Sequence, residues 1–123
     1  MVDERITDGR RIAQLLASEL TGLERGPLAA VTVVEADPDA EPTADGTFAY
    51  AVARDGERVA EVFVHENRAR IELLAGLAAA VGAAESKGLR TRPKAVDPPR
   101  ALVFVESGAQ VKRAVDAVVA AIE

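Results

Sequence analysis

The sequence predicts an α+β fold, with three helices and a mostly antiparallel sheet of four to six strands. Two stretches of alternating apolar residues flank Asp55-Gly56, a pair that favours a tight hairpin turn. Three other segments place apolar residues at helical spacing. The predicted order is α-β-β-β-(β)-α-(β)-β-α, with brackets around the weaker strands. We expect one domain over residues 1–123, which is long enough to bury about two-thirds of its unfolded surface.

The first helix follows a charged N-terminal lead. Thr7 or Asp8 is placed to cap it, and Gly26-Pro27 is expected to end it. Its apolar stripe is Ile12, Leu15, Leu16, Leu20 and Leu23. A valine-rich strand over residues 28–36 leads into an exposed acidic loop over residues 35–46.

The hairpin over residues 47–65 is the most strongly predicted part of the sheet. A two-residue turn pairs Arg54 with Glu57, Val52 with Val59, Tyr50 with Glu61, and Phe48 with Phe63. Directly opposed residues share a face. One face then carries Ala49, Ala51, Ala53, Ala60, Val62 and Val64, and the other carries Phe48, Tyr50, Val52, Val59 and Phe63. Since neither face is polar, both are expected to be covered.

The remaining elements are less strongly marked. A turn at Glu66-Asn67 returns residues 68–73 as a fourth strand, with Val62 opposite Ile71 and Glu61 opposite Glu72. An alanine-rich helix over residues 74–87 contains Gly82, which suggests close packing. Residues 89–96 form an edge strand at most, because of Pro93. A buried strand over residues 101–106 precedes a final helix with apolar positions Val111, Val115, Val118 and Ile122.

Composition narrows the possible chemistry. The absence of cysteine excludes disulfides and thiolate sites, and a single histidine excludes multi-histidine metal sites. No P-loop, dinucleotide fingerprint or nucleophile elbow occurs. We therefore predict no catalytic, metal or cofactor-binding residues, and a non-enzymatic role is favoured. With no apolar signal segment or membrane span, the protein is expected in the cytoplasm.

A family resemblance covers nearly the whole chain. The segment DGRRIAQLLASELTGLERGPLA, the acidic loop and the strand TFAYAV are similar to an uncharacterised family of small haloarchaeal proteins. The resemblance implies an archaeal, high-salt cytoplasm and carries no known activity. The element order also resembles that of type III secretion chaperones, which are dimeric α+β proteins that bind partner segments. That second likeness is one of topology alone.

The leading functional prediction is a protein-interaction module that homodimerises. Its interface would be the aromatic face of the hairpin, formed by Phe48, Tyr50, Val52, Val59 and Phe63. If all three helices cover the aliphatic face, the aromatic face is too large an apolar patch to stay exposed. An isologous dimer would then bury it. The alternative is a monomer with helices on both faces.

Two further sites are considered. A small ligand or substrate would bind near Tyr50, Glu61, His65 and Arg68, where a histidine and a carboxylate can position a proton. Weak nucleic-acid binding would use the basic segment 87–100, with Lys87, Arg90, Arg92 and Lys94. The net charge of −5 and the lack of an interleaved aromatic residue in that segment count against it.

Overall fold

The computed structural model describes residues 7–22 and 29–123, which form two layers. The helices are α1 (Gly9–Gly22), α2 (Leu77–Ser86) and α3 (Val111–Ile122). The strands are β1 (Val31–Val34), β2 (Thr47–Arg54), β3 (Glu57–Val64), β4 (Ala69–Leu73), β5 (Thr91–Lys94) and β6 (Arg100–Val105). All neighbouring strands are antiparallel, in the order β1-β2-β3-β4-β6-β5. The predicted fold class and element order are confirmed, and both bracketed strands are present.

Helix α1 begins as the sequence predicts. The Asp8 carboxylate accepts hydrogen bonds from the backbone N–H groups of Arg10 (2.9 Å) and Arg11 (3.2 Å), which otherwise lack helical partners. The apolar stripe of α1 is fully buried at Ile12, Leu16 and Leu20. Its last predicted member, Leu23, and the predicted stop at 26–27 lie outside the described residues.

The core lies between the helices and one face of the sheet, which we call the helix-covered face. All three helices contribute to the same apolar cluster. The strands contribute alternate residues, most of them fully buried, including Val62, Val64, Ile71, Leu73, Val103 and Val105. Period-two alternation therefore sends the intervening residues to the opposite side. Within the described residues no helix covers that side, and we call it the open face.

The β2–β3 register differs from the simple hairpin. The pairs Arg54–Glu57 and Phe48–Phe63 are confirmed, but Tyr50 pairs with Val62 and Val52 pairs with Ala60. Two β-bulges cause the difference, one leaving an extra residue on β2 and the other an extra residue on β3. A bulge exchanges the faces of the residues on its two sides. The predicted division of side chains between the two faces is therefore wrong.

The rest of the sheet follows the predicted pairing more closely. Val62 lies opposite Ile71 and Glu61 opposite Glu72, as expected. The weak segment 89–96 supplies the edge strand β5, in which Pro93 pairs with Ala101 of β6. The close packing suggested for Gly82 is wrong, because a Cβ there would meet nothing within 4 Å.

Candidate functional site

Four paired residues cross the open face near the end of the sheet where β3 ends and β4 begins. Phe48, Phe63, Arg70 and Phe104 lie side by side on β2, β3, β4 and β6. The rings of Phe48 and Phe63 meet edge to face, with centroids 5.8 Å apart, and both residues are half-buried. This aromatic row is the main apolar feature of the open face.

Arginine side chains lie over the aromatic row. The Cζ of Arg70 is 4.4 Å from the centre of the Phe63 ring, and that of Arg68 is 4.5 Å from the centre of the Phe104 ring. These cation–π contacts partly shield the rings from water. The apolar patch is consequently smaller than the sequence suggests.

Glu72 lies beside the aromatic row and is fully buried, with three cations around its carboxylate. Lys94 Nζ donates at 3.1 Å, Arg100 Nη1 at 2.9 Å, and Arg70 Nη2 lies 2.9 Å away. Burial alone would raise the pKa of Glu72. The hydrogen bonds from Lys94 and Arg100 and the charge of Arg70 outweigh it and hold that pKa below its ordinary value.

Arg100 joins the two neighbouring carboxylates of the open face. Its Nη1 also donates to Glu61 at 2.8 Å, and Glu61 accepts a second hydrogen bond from Arg58 at 2.9 Å. Burial would lower the pKa of Arg100, but its bonds to Glu72 and Glu61 raise it. The repulsion expected between Glu61 and Glu72, which face each other across β3 and β4, is therefore relieved by a shared cation.

His65 closes one end of the face. Its Nδ1 lies 2.9 Å from the Ala44 carbonyl oxygen, and its Nε2 lies 3.2 Å from Arg70 Nη1. Burial lowers the pKa of His65, and the charges of Arg70 and Arg68 add to that effect. The Ala44 hydrogen bond and the charge of Asp45 oppose it without cancelling it. A ring held neutral in this way is a structural hydrogen-bonding group at neutral pH.

The charges of the open face have a positive excess. At the His65 end, Arg68 and Arg90 share one carboxylate, Glu106. Arg92 is exposed, and no described residue forms an ion pair with it. Seven cations lie on this face or at its margin: Arg58, Arg68, Arg70, Arg90, Arg92, Lys94 and Arg100. Six carboxylates accompany them: Glu35, Asp45, Glu61, Glu66, Glu72 and Glu106. This local excess of one positive charge occurs in a chain whose net charge is −5.

The residues predicted to form a ligand site are not brought together. Tyr50 lies on the helix-covered face, where its hydroxyl donates to the Ala13 carbonyl at 2.7 Å and burial raises its pKa. Glu61 and His65 lie on the open face, and Arg68 lies over Phe104. The β2 bulge separates them, because it turns Tyr50 away from the open face. A cavity of about 210 Å³ does lie beside Tyr50, between α1 and the acidic loop, but Glu61, His65 and Arg68 do not line it.

The residues predicted to form the dimer interface are also divided between the two faces. Tyr50, Val52 and Val59 are buried in the core cluster of the helix-covered face, so this part of the predicted surface is wrong. Phe48 and Phe63 lie on the open face, as predicted.

Most of the residues predicted to bind nucleic acid lie close together in the structure. Arg92 and Lys94 point to the open face through their pairing with β6, and Arg90 reaches Glu106 beside them. Lys87 does not join them, because it caps α2 and pairs with Asp116 of α3 at 3.0 Å.

The sites predicted from the sequence give no role to Arg70, Glu72 or Phe104 on the open face, and they include Arg100 only as the end of the basic segment 87–100. The alternation of Arg100, Leu102 and Phe104 along β6 was the available signal, since period two places all three on one face.

In the described part of the chain, no helix is long and apolar enough to cross a membrane. Nor do the described residues place three or more histidine or acidic side chains around a possible metal position.

A family model, described as a family of unknown function, matches residues 1–123. No curated protein and no solved structure matches the chain.

Proposed function

The chain belongs to DUF7993, a family of unknown function, and we propose that it is a non-enzymatic interaction module that binds a negatively charged partner through the open face. One observation carries the proposal: on or beside a face that no described helix covers, seven cations accompany six carboxylates, in a chain that is acidic overall. A field of this sign attracts anionic groups and repels cationic ones.

The cations of the open face outnumber the carboxylates that they pair with, which supports an anionic partner. Glu61 and Glu72 form ion pairs with four cations: Arg58, Arg70, Lys94 and Arg100. Glu106 forms ion pairs with Arg68 and Arg90. Cations that share a carboxylate keep donor capacity, because a guanidinium has five N–H groups. Arg90 is 66% exposed at its side chain and Lys94 is 40% exposed, so both can reach an incoming anion.

A titration with inorganic polyphosphate, followed by amide chemical shifts, tests the proposal. The expected shifts cluster on β3, β4, β5 and β6, with α2 and α3 unaffected. Arg92→Glu should weaken the response, whereas Arg113→Glu, at an exposed position of α3, changes the net charge equally and should not. Shifts spread over the helices, or equal effects of the two variants, would contradict the proposal.

Homodimerisation through the same face is the second candidate. It is supported by the half-buried Phe48–Phe63 pair, whose remaining apolar surface a two-fold partner would cover. The positive excess on each copy opposes this arrangement, so the carboxylates of one copy must lie opposite the arginines of the other. That requirement places homodimerisation second.

Light scattering over a range of protein concentrations tests the dimer. Phe63→Asp should convert a dimer to a folded monomer, since it replaces an apolar side chain of the interface with a charged one. Val96→Asp, at a residue that is 44% exposed, is the matched control and should leave the dimer intact. A wild-type monomer at high concentration, in both low and molar salt, would overturn this candidate.

A haloarchaeal, cytoplasmic origin is a further proposal, supported by the resemblance of the N-terminal segment and by the acidic net charge. Molar salt screens exposed pairs such as Arg58–Glu35 more than the buried Glu72 cluster. The expected result is cooperative thermal unfolding, followed by circular dichroism, with a midpoint that does not fall as potassium chloride is raised to molar levels. A falling midpoint would count against a high-salt origin.

A further inference from the structure

The open face arranges its cations on both sides of the aromatic row. Toward one end of the strands lie Arg68 and Arg90, around Glu106. Toward the other end, beyond the Glu61–Glu72 pair, lie Arg58, Arg100 and Lys94. Arg92 stands at the edge of the sheet, level with Glu72 through Leu102. A row of rings thus runs between two groups of cations.

We infer that the negatively charged partner is single-stranded nucleic acid. This inference rests on the proposed function, because it names the partner of the same surface. Proteins that bind single strands without sequence preference combine cations that follow the phosphates with aromatic side chains on which bases stack. The open face brings both features together, although no single segment of the sequence contains both.

The aromatic row supplies surfaces for stacking. Phe48 and Phe63 are half-buried, with Arg58 and Arg70 over their rings at 5.9 and 4.4 Å from the ring centres. The guanidinium of Arg68 lies over the Phe104 ring while the Arg68 side chain remains 32% exposed. Nucleic-acid bases stack on arginine planes as well as on rings. A purely acidic protein segment would be attracted by the same charges but would gain little from these planar groups. The rings therefore favour nucleic acid over an acidic protein.

A single strand fits this surface better than a duplex. In a duplex the faces of the bases are stacked on one another and are not accessible to Phe48 or Phe63, whereas a single strand can splay its bases onto the sheet. Phosphates on either side of the stacked bases then meet the two groups of cations. Because stacking depends less on salt than phosphate contacts do, a residual affinity should persist as the salt concentration rises.

Fluorescence anisotropy with a labelled single-stranded DNA of mixed sequence, about 15 nucleotides long, tests this inference. The RNA of the same sequence, the DNA duplex and a polyglutamate peptide of similar charge are titrated alongside. The wild-type chain should bind both single strands more tightly than the duplex or the peptide at about 50 mM salt. The affinity should fall with salt by about 0.7 log units per log unit of salt for each phosphate contacted.

Two variants separate the contributions. Arg92→Glu should lower the affinity about tenfold and reduce the salt slope by about 0.7, whereas Arg113→Glu on α3 should leave both nearly unchanged. Phe48→Leu keeps an apolar side chain but removes the ring. It should weaken binding by about 5- to 100-fold with no change in slope, and Phe48→Trp should restore it. Thermal unfolding of each variant establishes that it is folded.

The outcomes distinguish the inference from the proposed function. If polyglutamate binds as tightly as the single strands and Phe48→Leu has no effect, the nucleic-acid inference fails while the proposed anionic partner stands. If neither polymer binds at low salt, or if Arg113→Glu weakens binding as much as Arg92→Glu, both fail. Preference for the duplex would likewise overturn the single-strand assignment.

Discussion

Nε2 of His65 lies 3.2 Å from Nη1 of Arg70, and this contact defines the charge state of the ring. A guanidinium only donates hydrogen bonds, so Nε2 must accept one. The proton then sits on Nδ1, which donates to the Ala44 carbonyl at 2.9 Å. A second proton on the ring would remove the acceptor of Arg70 and place two positive charges side by side.

The lowered pKa of His65 predicts a loss of stability in mild acid. Well above pH 6.5 the ring is neutral in both the folded and unfolded states, so it contributes no pH dependence there. As the pH falls through 6.5, the unfolded chain takes up the proton first, and the free energy of unfolding decreases until the folded-state pKa is passed. Urea unfolding at pH 7.5 and pH 5.5 should show this decrease, with a slope of at most about 1.4 kcal/mol per pH unit for one proton.

His65→Asn is the matched variant for this prediction, since its amide can still donate to Ala44 but does not titrate. Its stability should be nearly constant between pH 7.5 and 5.5, an interval above the ordinary pKa of the carboxylates. An equal slope in both proteins would show that His65 is not the titrating group.

Glu72→Gln is predicted to be strongly destabilising. The amide can no longer neutralise Arg70, Lys94 and Arg100, and an amide N–H₂ would face three donors. Removing one partner of a buried ion pair costs about 3 kcal/mol or more, although the partial exposure of Lys94 favours the lower end of this range. Denaturant unfolding at pH 7 measures the loss.

The control for Glu72 is Glu35→Gln, which breaks an exposed pair with Arg58 and should cost less than about 1 kcal/mol. The stabilising effect of Glu72 is present above pH 4.5 and is lost as the pH falls through its lowered folded-state pKa. The difference between wild type and Glu72→Gln should therefore shrink in acid. A difference that stays constant down to pH 3 would contradict the assigned charge state.

The sequence predicts the elements of this fold but not which side chains share a face of the hairpin. Periodicity and the Asp55-Gly56 turn locate β2 and β3 correctly. The two bulges cannot be recognised from the pattern of apolar and polar residues, because β2 is apolar on both faces and either register would bury apolar side chains. The sequence therefore places Tyr50 on the aromatic face, whereas in the structure its hydroxyl donates to a backbone carbonyl of α1.

The candidate site was predicted only in fragments for a related reason. Its cations come from β3, β4, β5 and β6, and its rings come from three strands, so no local segment contains both. The sequence shows the basic segment 87–100, but the aromatic ring nearest to it belongs to Phe104, which lies on the next strand, β6. The cluster around Glu72 required knowing the register of β4 against β6.

Tyr50→Phe is predicted to destabilise the fold without altering the open face. The change leaves the buried carbonyl of Ala13 without the hydroxyl that donates to it at 2.7 Å. Because Ala13 lies within α1, its carbonyl also accepts the helical backbone bond, so the change removes one hydrogen bond and should cost about 0.5–1.5 kcal/mol. Urea unfolding should show that loss, while polyphosphate binding should match wild type in the folded state. A parallel loss of polyphosphate binding would mean that the two faces of the sheet are coupled.

Gly9 and Gly22, at the two ends of α1, should respond in opposite directions to alanine. A Cβ on Gly9 would overlap the carbonyl oxygen of His65 and approach that of Arg68 to 2.6 Å, because the start of α1 lies against the β3–β4 turn. Gly9→Ala should cost about 1–3 kcal/mol, as overpacking does elsewhere. The Cβ added by Gly22→Ala would meet no atom within 4 Å. This variant should therefore be more stable by up to about 1 kcal/mol, because alanine has the higher helix propensity. Denaturant unfolding of both variants checks the pair. If Gly9→Ala were as stable as Gly22→Ala, the contact between α1 and the His65 turn would not exist, and α1 would have to lie elsewhere on the sheet.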